Sequence, residues 1–392
     1  MPKETLLRLA APDYNFAFKQ IPPIQFLLRF EDRLDPARLR SALDVVLADY
    51  WVLRGRLEVG PAGEAVIRVP PHRRNSIPVR VEDVDRPLDP ASVVPGLERI
   101  DEAARGAGGP LARIRIAQAP ASTCLGISLA HAAGDGRSLF AFVDAWGRAY
   151  SGRSYPIPAF DREALRVDPI GDEQPLSESY VEHATSYLYR LAQYPPAGPL
   201  VRDRLVFSAA EVAERREEAH SNGLTLNDVL VARAWRAFAA YAPRREPGTH
   251  SLRCPVDYRR HLPALDPEYF GTVLTDAVVE MGAEQFAAAT PIQLAQTVHR
   301  EVRTIDAAAV ARLLECYERL RRAGGPEAFR RLFAPGLVVT NFTRTRVTEI
   351  SFAGAKPDYV LNLSISTRTA NIVPQRGGLE IQMLRRVLPL AT

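Results

Sequence analysis

The segment His131-Ala-Ala-Gly-Asp-Gly136 separates two stretches of the chain that have different periodicity. Residues 124–130, just before it, form a short apolar run that is typical of a buried strand. After it, apolar residues recur at helical spacing, at Leu139, Val143, Trp146 and Tyr150. The pattern therefore predicts a histidine at the end of a strand and a carboxylate at the start of a helix.

His131 is a candidate general base. Histidine has an ordinary pKa of about 6.5, so its side chain can accept a proton near neutral pH. The end of a strand is a position where a rigid sheet can hold the imidazole in place. The alternative is a core histidine with a structural role only. Asp135 likewise has two interpretations, because its carboxylate can orient the imidazole or hold the loop in shape.

The composition is that of a globular protein. Hydrophobic residues make up 46% of the 392 residues and charged residues 24%. The chain is longer than the number of residues that usually fold around one hydrophobic core, so two domains are expected. The sequence contains no run of about 18 apolar residues, and its first twenty residues are charged without an apolar core. We therefore expect no membrane span, no signal peptide and a cytoplasmic location.

Nucleic-acid and metal binding are not expected. The net charge is +4, but basic residues alternate with acidic ones and no aromatic residues interleave with a basic cluster. The seven histidines do not cluster at metal-ligand spacing. The three cysteines, Cys124, Cys254 and Cys316, are widely spaced and should be buried, inert thiols.

The chain divides into two α/β halves. Residues 1–165 form the first half, 166–205 an interdomain connection, and 206–392 the second half. Alternation over residues 112–117, followed by the apolar run, predicts an antiparallel hairpin. Ser208 and Thr225 predict helix N-caps in the second half. Strands are predicted near the end of the chain at residues 337–341, 347–352, 359–367 and 378–387.

Four stretches resemble one family in sequence order, namely residues 34–57, 131–146, 225–236 and 256–271. The second stretch, from His131 to Trp146, resembles the His-x-x-x-Asp signature of the BAHD acyltransferases. The fourth is similar to that family's Val-Asp-x-Arg segment and its Tyr-Phe-Gly. The BAHD enzymes belong to the superfamily of chloramphenicol acetyltransferase and the condensation domains of nonribosomal peptide synthetases.

The resemblance implies two chloramphenicol-acetyltransferase-like α/β sandwich domains with mixed, largely antiparallel sheets and a tunnel at their interface. An acyl thioester of coenzyme A or of a carrier protein would be the co-substrate, with no bound cofactor. His131 would act as general base while a hydroxyl or amine of a small secondary metabolite attacks the thioester. The implied partners are this small-molecule acceptor, the thioester donor and, for a tethered donor, a carrier protein.

The resemblance also implies roles for other residues. Asp135 would turn away from the reaction chamber and pair with Arg259, and Gly136 would serve the tight turn before the helix. Thr340 and Asn341 are candidates for stabilising the oxyanion, because a hydroxyl or a carboxamide N–H can donate a hydrogen bond to it. The alternative for both is an ordinary polar residue at a strand end.

One segment departs from the family pattern. The family's Asp-Phe-Gly-Trp-Gly-Lys-Pro corresponds to Ser351-Phe-Ala-Gly-Ala-Lys-Pro357, which keeps only the phenylalanine, the lysine and the proline. Three hypotheses therefore stay open. The donor is an acyl-CoA, or it is bound to a carrier protein, or the scaffold catalyses a non-acylating step such as cyclisation of a polyketide or peptide-derived intermediate.

Overall fold

A computed structural model describes residues 5–18, 23–60, 63–71, 77–85, 109–167, 200–239, 248–330, 336–363 and 368–386. Most of the predicted connection, residues 168–199, lies outside the described residues. The described part of the chain alternates helices and strands in both halves.

The described strands are β1 (Thr5–Arg8), β2 (Ile24–Phe30), β3 (Arg56–Val59), β4 (Ala65–Val69), β5 (Val79–Asp83), β6 (Ala112–Ala119), β7 (Ser122–Leu129), β8 (Leu200–Ser208), β9 (Thr249–Asp257), β10 (Leu274–Gly282), β11 (Leu337–Asn341), β12 (Tyr359–Asn362), β13 (Thr369–Gln375) and β14 (Gly378–Arg386). The described α-helices are α1 (Ala11–Ala17), α2 (Pro36–Asp49), α3 (Gly136–Tyr150), α4 (Ala209–Ser221), α5 (Leu226–Ala239), α6 (Ala283–Ala288), α7 (Pro291–Arg303) and α8 (Ala307–Arg330).

The strands form three sheets. The first has the order β12-β2-β7-β6-β5, the second β10-β9-β11-β13-β14-β8, and a small third sheet β1-β4-β3. Strand β11 runs parallel to β9 and β13, and β5 runs parallel to β6. The other described pairs are antiparallel. The predicted class, mixed and largely antiparallel α/β sheets, is confirmed.

Strand β7 lies in the middle of the first sheet and leads into the His131 segment. It pairs with β6 across a two-residue turn, as the predicted hairpin requires, and its last residue, Leu129, is opposite both Ala112 and Ile24. All but the first of its residues are buried. Because neighbouring strands hold β7 on both sides, the chain leaves the sheet at a fixed place and direction.

The second half of the chain completes the first sheet. Strand β12 pairs with β2, with Leu361 opposite Leu27. The ring of Phe342 packs edge-on against Phe26, with centroids 4.9 Å apart, and Phe352 packs in the same way against Phe30 at 5.4 Å. Residues of the second half therefore belong to the first sheet and its core, and the division of the chain at residues 166–205 stays a prediction.

The strand predicted at residues 347–352 is absent. The chain forms a 3₁₀ turn over Arg346–Thr348, and Phe352 then exchanges two backbone hydrogen bonds with Ala355 in a tight turn. Val347, Ile350 and Phe352 are nevertheless buried. The apolar pattern correctly predicted burial, but the segment buries these side chains without pairing to a sheet.

The two predicted helix caps in the second half are confirmed. The hydroxyl of Ser208 accepts a hydrogen bond from the Glu211 N–H, and the Glu211 carboxylate accepts one from the Ser208 N–H. Thr225 and Asp228 make the same reciprocal pair at the start of α5. Among the described residues, no helix is both long enough and apolar enough to cross a bilayer.

Candidate active site

His131 is held from three sides. It follows β7, and its backbone carbonyl accepts a hydrogen bond of 2.7 Å from the hydroxyl of Thr272, in the second half. Its ring stacks on the ring of Phe16 in α1, with centroids 5.4 Å apart and planes 28° apart. The imidazole is therefore placed by a central strand, by a loop of the second half and by an aromatic side chain.

The protein environment favours a neutral imidazole. Loss of hydration by burial lowers the pKa of His131 to about 4, although the negative charge of Asp135 acts in the opposite direction. Atom Nδ1 is buried and has no hydrogen-bond partner among the described residues. A neutral imidazole has one nitrogen with a free lone pair, so the ring can accept a proton at pH 7.

The Asp135 carboxylate is turned toward the second half. Its Oδ1 accepts a hydrogen bond from the Ser138 N–H at 2.9 Å, and its Oδ2 accepts one from the Val273 N–H at 3.2 Å. Oδ2 also lies 2.8 Å from Nη1 of Arg259. The ion pair that the family resemblance led us to expect is thus present in the structure. Both partners are shielded, because their side chains are 1% and 6% exposed.

Asp135 and Arg259 hold each other in their charged forms. Burial alone would raise the pKa of Asp135, but the positive charge of Arg259 and the hydrogen bonds to the carboxylate hold that pKa below its usual value. Burial likewise acts to lower the pKa of Arg259, and the carboxylates of Asp135 and Asp257 raise it above its usual value. The network therefore carries its full charges at neutral pH.

Ser138 and Gly271, which sequence reasoning did not single out, join the two halves. The Ser138 hydroxyl donates to the Gly271 carbonyl at 2.9 Å and accepts from the Gly271 N–H at 3.1 Å. Nη2 of Arg259 donates to the same carbonyl at 2.9 Å. In the sequence, only their positions could have indicated these two residues. Ser138 lies near the end of the histidine motif, and Gly271 is the last residue of the Tyr-Phe-Gly segment.

A second buried ion pair lies behind the His131 loop. Nε of Arg162 is 3.0 Å from Oδ2 of Asp13, and the two side chains are 2% and 0% exposed. Nη1 of Arg162 donates to the Phe270 carbonyl at 2.7 Å. This pair connects α1, which carries Phe16, to the loop that carries Gly271. In the sequence, the one indication of this pair was the carboxylate of Asp13 inside the short, mostly apolar segment that forms α1.

Gly136 allows a close approach between the halves. A Cβ at this position would lie 2.5 Å from Cε1 of Phe342, a buried residue just after β11. Gly136 is the first residue of α3 and does not have a positive φ angle. Crowding by Phe342, not the conformation of a tight turn, is therefore the physical reason for a glycine here.

Thr340 and Asn341 lie at the end of β11. The Asn341 Nδ2 donates to Oδ1 of Asn227 at 2.9 Å, and its own Oδ1 accepts from the Thr343 N–H at 2.8 Å. Phe342 follows directly, so this strand end meets the start of α3 at Gly136. The hydrogen bonds fix the orientation of the Asn341 carboxamide, and an oxyanion role for either residue stays a prediction.

The segment that departs from the family pattern keeps a turn. The Phe352 ring packs edge-on against Trp146, and the Ala353 N–H donates to the Ser151 hydroxyl at 2.8 Å. Ala353 has φ = +53° at the position where the family pattern has glycine. Alanine in this region costs about 1–2 kcal/mol relative to its preferred conformation. The segment therefore keeps its anchor on α3 despite the loss of the family's tryptophan.

Metal and thiol chemistry find no support in the described part of the chain. No group of three or more His, Cys, Asp or Glu side chains is placed there to hold a metal ion. Cys124 and Cys254 are buried, and Cys316 is partly buried. Burial raises the pKa of the Cys124 thiol to about 12, so this sulfur is not a thiolate at neutral pH.

Comparison with known proteins supports the sequence resemblance. Residues 110–389 match the model of the Transferase family. Omega-hydroxypalmitate O-feruloyl transferase of Arabidopsis thaliana is 24% identical over 270 residues, which are 62% of this chain and only 57% of that protein's length.

Solved structures share the fold. F. graminearum TRI101, in complex with coenzyme A and deoxynivalenol, has a TM-score of 0.75 at 13% identity, over 97% of this chain and 95% of that chain. The first condensation domain of the CDA synthetase has a TM-score of 0.62 at 17% identity, over 96% and 92% of the two chains. The chain therefore belongs to the Transferase family, and within it to the BAHD-type acyltransferases.

Proposed function

We propose that this protein transfers an acyl group from a thioester to a hydroxyl or amine of a small, secondary metabolite, with His131 as general base. The observation that carries the proposal is the placement of His131 between the two halves, where its carbonyl accepts a hydrogen bond from Thr272 and its ring stacks on Phe16. Burial at this place lowers the pKa of the imidazole to about 4, which favours the neutral form. Nδ1 is buried and has no hydrogen-bond partner among the described residues, so a substrate proton does not reach it. Nε2 is then the nitrogen that takes the proton.

The reaction balances with no further reactant. As the acceptor oxygen or nitrogen bonds to the thioester carbonyl carbon, its proton passes to Nε2 of His131. The tetrahedral oxyanion then collapses, the carbon–sulfur bond breaks, and the proton passes from His131 to the thiolate. The products are an ester or amide and a free thiol. Thr340 and Asn341 remain the candidates that donate a hydrogen bond to the oxyanion.

The remaining residues position the base. Asp135 accepts backbone hydrogen bonds and pairs with Arg259, so it holds the His131 loop against the second half instead of orienting the ring. Gly136 permits the same contact by leaving room for Phe342. Desolvation around the ring fits a reaction in which water must be kept from the thioester.

Coenzyme A is the first donor to test, because the structurally similar TRI101 was solved with coenzyme A. A carrier-bound thioester is the second, because the fold is also similar to a condensation domain. With the family's Asp and Trp absent at 351–357, we expect weak use of acetyl-CoA. Hexanoyl-CoA, whose acyl chain has four more methylenes, should give a kcat/KM at least tenfold higher, since burying even two of them contributes about 1.6 kcal/mol.

The test is a steady-state comparison of acetyl-CoA, hexanoyl-CoA and a hexanoyl carrier protein with a panel of alcohols and amines. His131→Gln serves as the control for each donor, because it keeps a polar side chain of similar size without the base. Efficient saturation by acetyl-CoA would show that the donor expectation is wrong.

The pH profile gives a second test of the base. Because burial lowers the pKa of His131 to about 4, kcat/KM should stay high as the pH falls from 8 to 5 and should decline only near pH 4, where the ring gains a proton. An unperturbed histidine would give this decline near pH 6.5. Circular dichroism at each pH checks that the protein is folded, and a decline near pH 6.5 in folded protein would contradict the desolvated base.

A non-acylating reaction on the same scaffold is the second candidate. The observation that favours it is the altered segment 351–357, which keeps its turn but lacks the family's acidic and tryptophan side chains. In that reaction His131 would serve as a hydrogen-bond partner only. Turnover of the true substrate that survives in His131→Gln would favour this candidate over acyl transfer.

A further inference from the structure

Arg162 lies where three segments of the chain meet, and its guanidinium uses a different nitrogen for each of them. Nε lies 3.0 Å from Oδ2 of Asp13 in α1. Nη1 donates to the Phe270 carbonyl at 2.7 Å, and Nη2 donates to the Ala133 carbonyl at 3.5 Å. Ala133 belongs to the His131 loop, and Phe270 belongs to the second half. One side chain therefore joins α1, the His131 loop and the second half.

The Tyr-Phe-Gly segment leaves room for this guanidinium. A Cβ at Gly271 would lie 2.5 Å from Nη1 and 2.9 Å from Cζ of Arg162, which is too close for nonbonded atoms. The Tyr269 ring lies under the guanidinium, with Cζ 5.0 Å from the ring centroid. The segment therefore encloses Arg162, whose side chain is only 2% exposed.

Asp13 connects Arg162 to the ring that stacks on His131. Its Oδ2 also accepts a hydrogen bond of 3.0 Å from the Ala10 N–H, which fixes the carboxylate at the start of α1. Phe16 follows three residues later, within one turn of the same helix. A shift of Asp13 would therefore move the Phe16 ring relative to the imidazole.

We infer that Arg162 is a positioning residue for acyl transfer, because it holds α1 and the Ala133 carbonyl so that Phe16 covers the His131 ring. The inference rests on the proposed function, in which His131 is the base. Arg162 is buried and acts on the rate through His131, without contact to either substrate. A displacement of a catalytic group by about 1 Å can lower a rate by on the order of a hundredfold.

The main test replaces both charges of the buried pair. Arg162→Met alone leaves the Asp13 carboxylate buried without its partner, which can prevent folding. The double variant Asp13→Asn with Arg162→Met removes that charge, and Asn can still accept the hydrogen bond from Ala10. With hexanoyl-CoA and the best alcohol of the panel, we expect kcat to fall by about ten- to a hundredfold. The KM values for both substrates should stay within about twofold of the wild type.

The titration of the His131 ring provides a readout that a purely structural role would not change. In protein labelled with ¹³C at histidine Cε1, each of the seven histidines gives a signal, and His131→Gln identifies that of His131. In the wild type this ring should stay neutral down to about pH 4. In the double variant its midpoint should rise by about one pH unit or more, because water reaches the ring.

A change in charge does not account for such a rise. The pair of Asp13 and Arg162 has no net charge, and neither has the pair of neutral side chains that replaces it. Asp135, the charged residue whose field acts on the His131 ring, is kept in both proteins. The shift in midpoint therefore reports on hydration of the ring.

Two further variants serve as controls. Arg162→Lys keeps a positive charge for Asp13 but offers one nitrogen in place of three, so kcat should fall and the His131 midpoint should rise as in the double variant. Glu82→Gln with Arg115→Met removes another buried ion pair, between β5 and β6, with side chains 18% and 6% exposed. This second control should keep the wild-type kcat and the wild-type titration, whatever its stability in urea.

The outcomes separate this inference from the proposed function. If the folded double variant keeps the wild-type kcat and the wild-type titration of His131, Arg162 is only structural and the inference is overturned, while the proposed function stands. A loss that appears in KM alone also overturns it. If His131→Gln keeps the wild-type rate, the proposed function fails, and a raised midpoint in the double variant still shows that Arg162 places the ring. If the double variant does not fold, Arg162→Lys decides by the same two measurements.

Discussion

Replacing His131 by alanine should lower kcat for acyl transfer by about 10²- to 10⁴-fold, the contribution of general-base catalysis. The loss should appear in kcat at saturating donor and acceptor, because the imidazole acts on the proton of the nucleophile and not on the body of either substrate. Single-turnover rates with hexanoyl-CoA and an acceptor alcohol measure the chemical step directly.

Control variants separate an effect of His131→Ala on catalysis from an effect on folding. His131 packs on Phe16, so His131→Gln accompanies the alanine variant and keeps more of the contact. His220→Ala removes an exposed histidine of α4 and should leave the rate unchanged. If folded His131→Ala and His131→Gln keep the wild-type rate, His131 is not the base.

Replacing Asp135 by alanine should lower the free energy of unfolding by about 3–5 kcal/mol, because it leaves the guanidinium of Arg259 buried without its partner. It also removes the side-chain cap of α3, since Oδ1 accepts from the Ser138 N–H. Urea unfolding followed by circular dichroism gives the value. The rate per folded molecule should fall less steeply than it does in His131→Ala.

An exposed ion pair provides the matched control. Arg33 and Asp83 lie 3.1 Å apart with side chains 53% and 77% exposed, so Asp83→Ala should cost about 0–1 kcal/mol. The double variant Asp135→Ala with Arg259→Leu should recover part of the lost stability, because no buried charge is left alone. A stable Asp135→Ala with the rate loss of His131→Ala would instead give Asp135 a direct part in catalysis.

The sequence predicted the parts of the site that lie in continuous motifs. The strand, the histidine and the helix that follows it are consecutive in the chain, so periodicity alone located them. The contact between Asp135 and Arg259 spans more than a hundred residues, and only the family resemblance indicated it. The class of the fold followed from the same resemblance and is confirmed by the sheet order.

Contacts between residues that are far apart in the chain could not be predicted from the spacing of apolar residues or from motifs. Asp13 and Arg162 belong to no motif that the sequence analysis identified, yet they form a buried pair. Asn15 and Phe16 belong to a seven-residue helix, which is too short for periodicity to indicate which face meets His131. Apolar spacing reports burial well, but it does not report the partner against which a residue is buried.

The pairing of β12 with β2 has a consequence for synthesis on the ribosome. Residues of β12 are made about 330 residues after their partners in β2. At about 5–20 residues per second, the wait lasts roughly 15 to 65 s. Throughout that time the nascent chain presents the apolar β2 as an open edge, which is the kind of surface that pairs with other chains. Newly made protein should therefore depend on chaperones until β12 has emerged from the ribosome.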